Sequence, residues 1–268
     1  RLSGKRYFFR AFCSKNNSYI CVSAKKTLIL QPIMLRSLFF PRCCPMCGDY
    51  IGEKTPAGLL CTRCLSELPR TEQAQKRHNS TEMALSGMKR DIARALKVMH
   101  IKQAAAFLFY EKDHPIRQVI HAMKYADQPW IGYQLGKQAA IEMQYADFFD
   151  EIDLIIPIPL HPKRLRSRGY NQSEYIARGI SDVTGIPIDT THVTRKRNTP
   201  KQALQAGQDR KNNVADAFIV NHPEQLYHSR ILVVDDLVTT GETMRACLQA
   251  MKICRGAEFS VLALCKAQ

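Results

Sequence analysis

Four consecutive apolar residues, Ile231 to Val234, end directly on two carboxylates, Asp235 and Asp236. A strand with apolar side chains on both of its faces must be buried on both faces, which is typical of a central strand in a parallel sheet covered by helices. In open sheets of this kind, ligands bind beyond the carboxyl ends of the strands. The run therefore predicts an α/β fold with a functional site at the two acids.

The residues after the acids have the composition of a phosphate-binding loop. Thr239, Thr240, Gly241 and Thr243 offer backbone N–H groups, three hydroxyls and one conformationally free glycine where a helix is predicted to start. The two preceding acids could accept hydrogen bonds from a cis-diol or hold Mg²⁺ through water. Residues 231–243, ILVVDDLVTTGET, therefore predict a ribose-phosphate site.

Other sites also place an acidic pair after a strand. Phosphoacceptor receivers, haloacid-dehalogenase-type phosphatases and plain Mg²⁺ sites are examples, but the region has no DxD and no GxxxxGK[ST], and these alternatives leave TTGET unexplained. The remaining alternative is structural, in which the threonines and the glycine only cap a helix. The spacing favours the ribose-phosphate interpretation.

Strand and helix patterns alternate along the chain. Apolar residues at helical spacing, such as Val119, Ile120 and Met123, predict amphipathic helices, and short apolar runs predict strands. The predicted strands cover residues 104–110, 154–160, 217–220, 231–235 and 258–264, and the predicted helices cover 116–125, 131–145, 172–184 and 242–254. Pro157 and Pro159 should end the second strand in a rigid turn. The alternation predicts a mostly parallel sheet with helices on both faces.

Local signals bound the helix predicted over residues 172–184. Asn171 or Ser173 can cap its start, and Gly185 can stop it.

Cationic residues follow the two prolines. Lys163, Arg164, Arg166 and Arg168 fall within six residues. This charge density at a strand end suits a polyanion such as pyrophosphate. Nucleic acid is an alternative partner, since the cations with Tyr170 and nearby amides would track a phosphate backbone. The plain alternative is a solvated basic loop. The histidines form no HxH or HExxH spacing, which favours surface or core roles for them.

A second polar stretch begins at Arg195. It contains cations and amides with few apolar anchors, including Arg197, Gln202, Arg210 and Asn213. Its composition predicts a mobile loop at the active site, with nucleic acid as an alternative partner.

Two CxxC pairs, Cys44 with Cys47 and Cys61 with Cys64, are separated by 13 residues. Four thiolates at this spacing can close a tetrahedron around Zn²⁺ in a structural site. A thioredoxin-like redox motif would need a strand before the pair and a helix after it, and disulfides would need export. The neighbouring Cys43 could compete with Cys44 as a ligand. The other five cysteines are interpreted as bystanders or small core residues.

The N-terminal segment carries much of the net charge of +15, because residues 1–48 hold nine Lys or Arg and no acid. The chain begins at Arg1, and an organellar transit peptide and a disordered or mis-translated extension ahead of a start at Met34 both remain open, with the second favoured. No stretch approaches the ~18 consecutive apolar residues of a membrane span, since Leu28 to Phe40 is interrupted by polar residues. We expect a cytoplasmic protein that is at most peripheral at the inner face of the membrane.

Taken in order, several motifs resemble the ComF family over about residues 34–268. They are CxxC…CxxC, HAMKY at 121–125, IPIPLHPKRLRSRGYNQSEYIA from Ile156, RKRNTPKQ from Arg195 and VVDDLVTTGET from Val233. The last of these is similar to the signature of type I phosphoribosyltransferases. The chain departs from the family in its 33 leading residues and in the doubled Cys43-Cys44.

The resemblance implies a fold and a division of the chain. The expected fold is α/β, a type I phosphoribosyltransferase-like parallel sheet flanked by helices and preceded by a small four-cysteine zinc finger. The expected segments are an extension over 1–33, the zinc finger over 34–68, a linker with helical content over 69–103 and the phosphoribosyltransferase-like domain over 104–268.

The resemblance also implies roles for individual residues. The two acids would meet the ribose hydroxyls of phosphoribosyl pyrophosphate (PRPP), bound with Mg²⁺. The implied PRPP-binding residues are Asp235, Asp236, Val238, Thr239, Thr240, Gly241, Glu242 and Thr243. Lys163, Arg164, Arg166 and Arg168 would hold pyrophosphate or nucleic acid. Asp235, Asp236, Lys163 and Arg164 are the catalytic candidates.

Two classes of function remain open on this basis. One is a Mg²⁺-assisted phosphoribosyltransferase whose acceptor the sequence does not name. The other is a non-catalytic module of a bacterial protein linked to natural competence and DNA uptake, which would bind PRPP or single-stranded DNA and dock a helicase-like partner.

Overall fold

The computed structural model describes residues 42–52, 56, 58–71, 101–196 and 217–267. The predictions made for the extension over 1–33, for the start at Met34, and for Arg197, Gln202, Arg210 and Asn213 lie outside these residues. Most of the linker predicted over residues 69–103 also lies outside the described residues.

The described elements alternate between strands and helices. In chain order they are α1 (Thr62–Ser66), β1 (Ile101–Tyr110), α2 (Ile116–Tyr125), α3 (Pro129–Met143), β2 (Leu154–Pro157), α4 (Pro162–Arg168), α5 (Gln172–Thr184), β3 (Val193–Arg195), β4 (Phe218–Val220), β5 (Arg230–Val238), α6 (Glu242–Met251) and β6 (Glu258–Ala267). Short 3-10 turns cover Gln144–Ala146 and Pro223–Leu226.

Four of these strands form one parallel sheet in the order β1-β6-β5-β2. Strand β5 is central, and Val233 pairs with Val261 on one side and with Ile156 on the other. A separate antiparallel pair joins β3 to β4. The expected α/β fold with a parallel sheet is confirmed.

Helices cover both faces of this sheet. Leu232 and Val234 pack into a core with residues of α2, α3 and α5, whereas Ile231 and Val233 pack into a second core with residues of α6. This division follows from the alternation of side chains along a strand. It explains the unbroken apolar run, because both sets of side chains are fully buried.

Two glycines bring α3 and α5 into close contact. A Cβ on Gly136 would lie 2.3 Å from the carbonyl oxygen of Ile176, and a Cβ on Gly179 would lie 2.1 Å from that of Tyr133. Neither helix could carry a larger residue at these positions without moving. This packing fixes α5, whose start reaches the end of the central strand.

The elements differ from the sequence-based expectations mainly at their ends. Strand β1 begins at Ile101 rather than at residue 104, and β5 runs through the acids to Val238 rather than ending at residue 235. The basic segment after β2, for which no helix was predicted, is the helix α4. Its start is stabilised by the His161 side chain, which accepts a hydrogen bond from the Lys163 amide, and its end by Gly169 in a left-handed conformation.

The CxxC segment, which comprises the described residues between 42 and 71, packs against the α/β sheet. The Phe109 amide donates to the Pro69 carbonyl at 2.7 Å, and the Thr71 amide donates to the Phe107 carbonyl at 3.0 Å, which extends the free edge of β1. Arg70 forms a bidentate ion pair with Glu142 of α3 at 2.6 and 2.7 Å. Residues of the segment also share a core with the sheet: Cys44, Met46, Leu60, Cys64 and Leu68.

Among the described residues, no helix combines the length and apolar character needed to cross a membrane.

Candidate functional site

The two acids lie near the carboxyl end of β5, where β2 also ends. The Ile158 amide donates to the Val234 carbonyl at 2.8 Å, so the segment that leads into α4 begins beside the acidic pair. The Asn171 side chain donates to the Ile158 carbonyl at 3.0 Å and caps α5 through the Ser173 amide. The ends of β2 and β5 and the starts of α4 and α5 therefore meet at one edge of the sheet.

The Asp235 side chain is half-buried and accepts a hydrogen bond from the first turn of α5. Ser173 Oγ donates to Asp235 Oδ1 at 3.2 Å, and the amide of Asp236 donates to the same oxygen at 2.9 Å. Burial and the neighbouring negative charge of Asp236 raise the pKa of Asp235 to about 7, although these two donors and Lys124 act in the opposite direction. Asp235 can therefore exchange a proton near neutral pH.

Asp236 has a different partner. Its Oδ2 lies 3.0 Å from Nζ of Lys124, which is in the last turn of α2. Both side chains are only 15% exposed, so the ion pair is largely shielded from solvent. The two adjacent carboxylates thus have separate environments, one hydroxyl-bonded and one paired with a cation.

The loop after the acids leads into α6 as the sequence predicts. Gly241 has a φ of +76° and forms the N-cap of α6. In the described part of the chain, no hydrogen bond is made by the hydroxyls of Thr239, Thr240 and Thr243. These hydroxyls are therefore available to a ligand at the start of the helix.

The cations of α4 lie on a mostly exposed helix. Lys163, Arg164 and Arg166 are exposed, and Arg168 is half-buried with its guanidinium 4.7 Å from the centre of the Tyr125 ring. The structure therefore places the four predicted cations on one short helix beside the end of β5.

Arg195, at the end of β3, extends this positive region. Burial and the charge of Arg164 lower its pKa, and Asp235 is the nearby carboxylate that opposes this effect. Its guanidinium lies 5.1 Å from the centre of the Phe218 ring. Within the described residues, no carboxylate forms an ion pair with Arg195.

His161 lies among the same cations. Burial, Arg195 and Arg164 lower its pKa, which favours the neutral ring. Because Nδ1 accepts from the Lys163 amide, we assign the proton to Nε2, which is buried and has no partner among the described residues. An N–H group in this position can donate to an anion. The sequence favoured a surface or core role for histidines and gave no signal for this arrangement.

The four cysteines of the two CxxC pairs form one cluster. Their sulfurs all lie within 4.8 Å of one another, and Cys47 Sγ lies 3.7 Å from Cys61 Sγ. Four ligands at the Zn–S distance of about 2.3 Å would place sulfurs about 3.8 Å apart, so the cluster fits a tetrahedral metal such as zinc. Cys44, rather than Cys43, belongs to the cluster.

Backbone amides near the cluster favour the thiolate form of Cys44, which is the form that binds a metal cation. Burial raises the pKa of the Cys44 thiol, but amide donors at Cys61, Cys47 and Met46 outweigh it and lower the pKa to about 7. Burial and the neighbouring thiols raise the pKa of Cys64. A bound metal would displace the remaining protons, and four protein ligands leave no open position for catalysis.

The structure therefore brings the predicted acids, phosphate loop and basic segment to one edge of the sheet, while their roles stay predictions. It adds contacts that the sequence did not indicate, those of Lys124 and Ser173 with the acids. Ser173 was considered only as a helix cap and Lys124 only as part of a family motif. Neither has a local sequence signal for its contact, because each meets its acid through tertiary packing.

Comparisons with known proteins agree with this arrangement. The phosphoribosyl transferase domain family matches residues 170–268. DNA utilization protein YhgH of Shigella flexneri is 31% identical over 155 residues, which cover 57% of this chain and 67% of that protein. The chain belongs to the ComF family. Competence protein F of Haemophilus influenzae is 28% identical to this ComF chain over 157 residues, covering 57% of the chain and 69% of that protein.

Solved structures are more distant from the ComF chain. Glutamine PRPP amidotransferase from B. subtilis, complexed with ADP and GMP, is 21% identical with a TM-score of 0.34, covering 50% of this chain and 26% of that one. HGPRT-ase from Leishmania tarentolae in complex with GMP is 14% identical with a TM-score of 0.25, covering 51% and 65%. The matched family range contains both acids and the phosphate loop, whereas Lys124 lies ahead of it.

Proposed function

We propose that this ComF protein binds PRPP with Mg²⁺ and acts as a phosphoribosyltransferase. The observation that carries the proposal is the continuous unit of β5, the acidic pair and the hydroxyl-rich loop before α6. Asp235 and Asp236 would accept hydrogen bonds from the ribose hydroxyls. Backbone amides and hydroxyls of Thr239 to Thr243 would hold the 5′-phosphate, with Val238 and Glu242 bounding this loop.

The cations beside the end of β2 suit the pyrophosphate. Lys163 and Arg164 would stabilise the negative charge that develops as the bond from C1 of the ribose to pyrophosphate breaks and an acceptor nucleophile bonds to C1. Arg166 and Arg168 extend the same positive helix. Bound Mg²⁺ would neutralise charge on the pyrophosphate. The protein's own residues would bind and orient the ribose and the leaving group.

Calorimetric titration with PRPP and Mg²⁺ tests the binding step. We expect saturable binding by the wild type and its loss in Asp235→Asn/Asp236→Asn, whose fold is checked by circular dichroism. Asp182→Asn is the control, because Asp182 pairs with Lys137 on the exposed surface. Pyrophosphate release across a panel of bases and amines tests turnover, and a PRPP-binding protein without turnover would contradict the enzyme assignment.

A second function, in single-stranded DNA handling, is favoured by the surface of α4 and its neighbours. Arg168 of this helix stacks over Tyr125, which is 64% exposed, and Trp130 of α3 is 50% exposed. Cations beside exposed aromatic rings suit a single strand, whose phosphates and bases they can contact. The names of the relatives, which refer to DNA utilization and competence, support a role for this chain in natural competence and DNA uptake.

Salt-dependent binding of a labelled single strand distinguishes this function. We expect Arg166→Ala/Arg168→Ala to weaken binding and to reduce its salt dependence. Lys102→Gln/Arg230→Gln removes the same charge from strand starts at the other end of the sheet and should bind normally. Equal binding by both double variants would contradict the DNA site, and competition by PRPP would show that the two ligands share it.

The CxxC segment supports a separate proposal about partners. It carries four clustered cysteines that could hold a metal, and it lies at the β1 edge of the sheet. Neither acid of the ribose-phosphate site belongs to it. This surface would dock a helicase-like protein of the DNA-uptake apparatus at the inner face of the membrane. Co-purification of such a partner with the wild type, but not with a Cys47→Ser variant, is the expected result.

A further inference from the structure

The ion pair between Lys124 and Asp236 is better shielded from solvent than the surface pair between Lys137 and Asp182. Both of its side chains are 15% exposed, whereas Lys137 and Asp182, at 2.6 Å, are 39% and 47% exposed. Exposed pairs contribute little because solvent screens them and their side chains stay mobile. A shielded pair holds its geometry more firmly, and losing one partner leaves the other charge without compensation.

The turn that carries Lys124 is fixed on both sides of this residue. The Tyr170 hydroxyl donates to the Met123 carbonyl at 2.6 Å, and the Arg168 guanidinium stacks over the Tyr125 ring. Met123 itself is fully buried. Lys124 is therefore presented to Asp236 by a turn that is held on both sides of it, at Met123 and at Tyr125.

The pair leaves Asp236 with one open oxygen. Lys124 contacts Oδ2, and within the described residues no hydrogen-bond donor reaches Oδ1. A carboxylate held at one oxygen offers the other as a directed acceptor, which suits a hydroxyl group of a ligand.

We propose that Lys124 is a positioning residue of the ribose-phosphate site, which fixes Asp236 so that its free oxygen accepts a hydrogen bond from a ribose hydroxyl. The inference rests on the proposed ribose-phosphate function and deepens it. It assigns a role in ligand recognition to α2, a helix that lies ahead of the matched phosphoribosyl transferase range. Lys124 acts through Asp236 and does not itself contact the ligand.

This role predicts a selective loss of affinity. Lys124→Met should weaken PRPP and ribose 5-phosphate by about 10-fold or more, the effect of losing a hydrogen bond to a charged group. It should leave inorganic pyrophosphate unchanged. Lys124→Arg, which keeps the charge but alters its geometry, should recover part of the lost affinity. Lys137→Met removes a lysine from an exposed pair and is the matched control, which should bind all three ligands normally.

A double-mutant cycle tests whether the effect passes through Asp236. Once Asp236→Asn is present, adding Lys124→Met should cost little further affinity for ribose 5-phosphate, because the two changes remove the same interaction. The loss of affinity caused by Lys124→Met should also be smaller for ribose 5-phosphate analogues that lack the hydroxyls donating to Asp236. Lys124→Met alone leaves the Asp236 carboxylate without its cation, whereas the double variant carries neither charge. Comparing the melting temperatures of these two variants shows whether a loss of folding explains the weaker binding by Lys124→Met.

The outcomes separate the inference from the proposed function. No binding of PRPP or ribose 5-phosphate by the wild type would overturn the proposed function and the inference with it. Wild-type binding that Lys124→Met leaves intact would overturn the inference alone. Weaker binding of pyrophosphate to a well-folded Lys124→Met protein would also overturn it, because it would indicate direct contact with the leaving group.

Discussion

Gly58 packs so closely against Trp130 that a Cβ on Gly58 would lie 2.6 Å from the Trp130 carbonyl oxygen. Gly58 belongs to the stretch between the two CxxC pairs, and Trp130 to the first turn of α3. Gly58 also has a φ of +81°, a conformation that side chains rarely adopt. The CxxC segment is therefore seated on the helix that follows the Lys124 turn, at a point where only glycine fits.

We expect Gly58→Ala to destabilise the protein by more than a simple loss of backbone freedom. The left-handed backbone alone costs about 1 kcal/mol for an alanine. The clash with α3 should add about 1 to 3 kcal/mol. Gly185→Ala is the control, because Gly185 has a φ of +74° but nothing within 4 Å of its Cβ position.

Urea unfolding of both variants separates the two effects. Gly185→Ala should show the backbone cost alone, and Gly58→Ala the backbone cost plus the clash. Equal losses in the two variants would mean that the CxxC segment is not seated on α3 as described.

A second prediction concerns the metal. The wild type should contain about one equivalent of zinc, and Cys44→Ser should lose it with a fall in melting temperature on the order of 10 °C. The control is Cys254→Ala, since Cys254 is also buried but lies outside the cluster. Zinc should be released as the pH falls, because protons compete for the thiolates.

Metal analysis by mass spectrometry and a thermal melt measure both effects. Full zinc content in Cys44→Ser, or no zinc in the wild type, would contradict the assignment. Loss of zinc in Cys254→Ala would show that the metal content follows overall stability rather than the cluster.

The sequence was most informative where a structure is decided by neighbouring residues. Asn171 caps α5 and Gly185 ends it, as their positions around the apolar pattern predict. The apolar run from Ile231 to Val234 correctly predicted a strand buried on both faces, because its residues face two different cores. The CxxC spacing correctly predicted a four-cysteine cluster.

Features decided by residues distant in sequence were not predicted. Asp236 meets Lys124 only because α2 packs beside the end of β5, and no spacing in the sequence reports that approach. Arg195 comes near Asp235 for a similar reason, through the position of β3. The helix α4 was missed because prolines and charges obscure a short helix whose caps are a histidine and a glycine.

A third prediction concerns Ser173, whose hydroxyl donates to Asp235. Removing this donor in Ser173→Ala should raise the pKa of Asp235 further, since the hydrogen bond favours the charged form. If PRPP with Mg²⁺ requires ionised Asp235, affinity should fall several-fold near pH 7 and recover toward pH 8.5. Ser181→Ala is the control, because its hydroxyl caps the other end of α5 by donating to the Ile186 carbonyl at 2.6 Å.

Titrations with PRPP at several pH values measure this shift. An affinity profile of Ser173→Ala that runs parallel to that of the wild type would contradict the role of the hydroxyl. A similar shift in Ser181→Ala would assign the effect to the helix as a whole.

The last prediction is that Asp235 lowers stability where it is ionised. Its pKa is raised to about 7, whereas an unfolded carboxyl titrates near ~4. Between these values the folded state keeps a proton that the unfolded state has lost, so the free energy of unfolding falls as pH rises through this window. Asp235→Asn cannot ionise, and it should be more stable than the wild type by about 1 to 3 kcal/mol at pH 8, with a smaller difference near pH 4.

Asp189→Asn should behave in the opposite way. Burial acts to raise the pKa of Asp189, but donors on Thr191 and His192 outweigh it and lower the pKa. Its stabilising effect is therefore present above the unfolded pKa and is lost as pH falls, so Asp189→Asn should be less stable than the wild type at pH 8. Urea unfolding from pH 4 to 8 compares the two variants. A gain in stability for Asp235→Asn together with a loss of PRPP binding would show that the acidic pair serves ligand binding at a cost to the stability of the fold. A loss of stability for Asp235→Asn at pH 8 would contradict the raised pKa of Asp235.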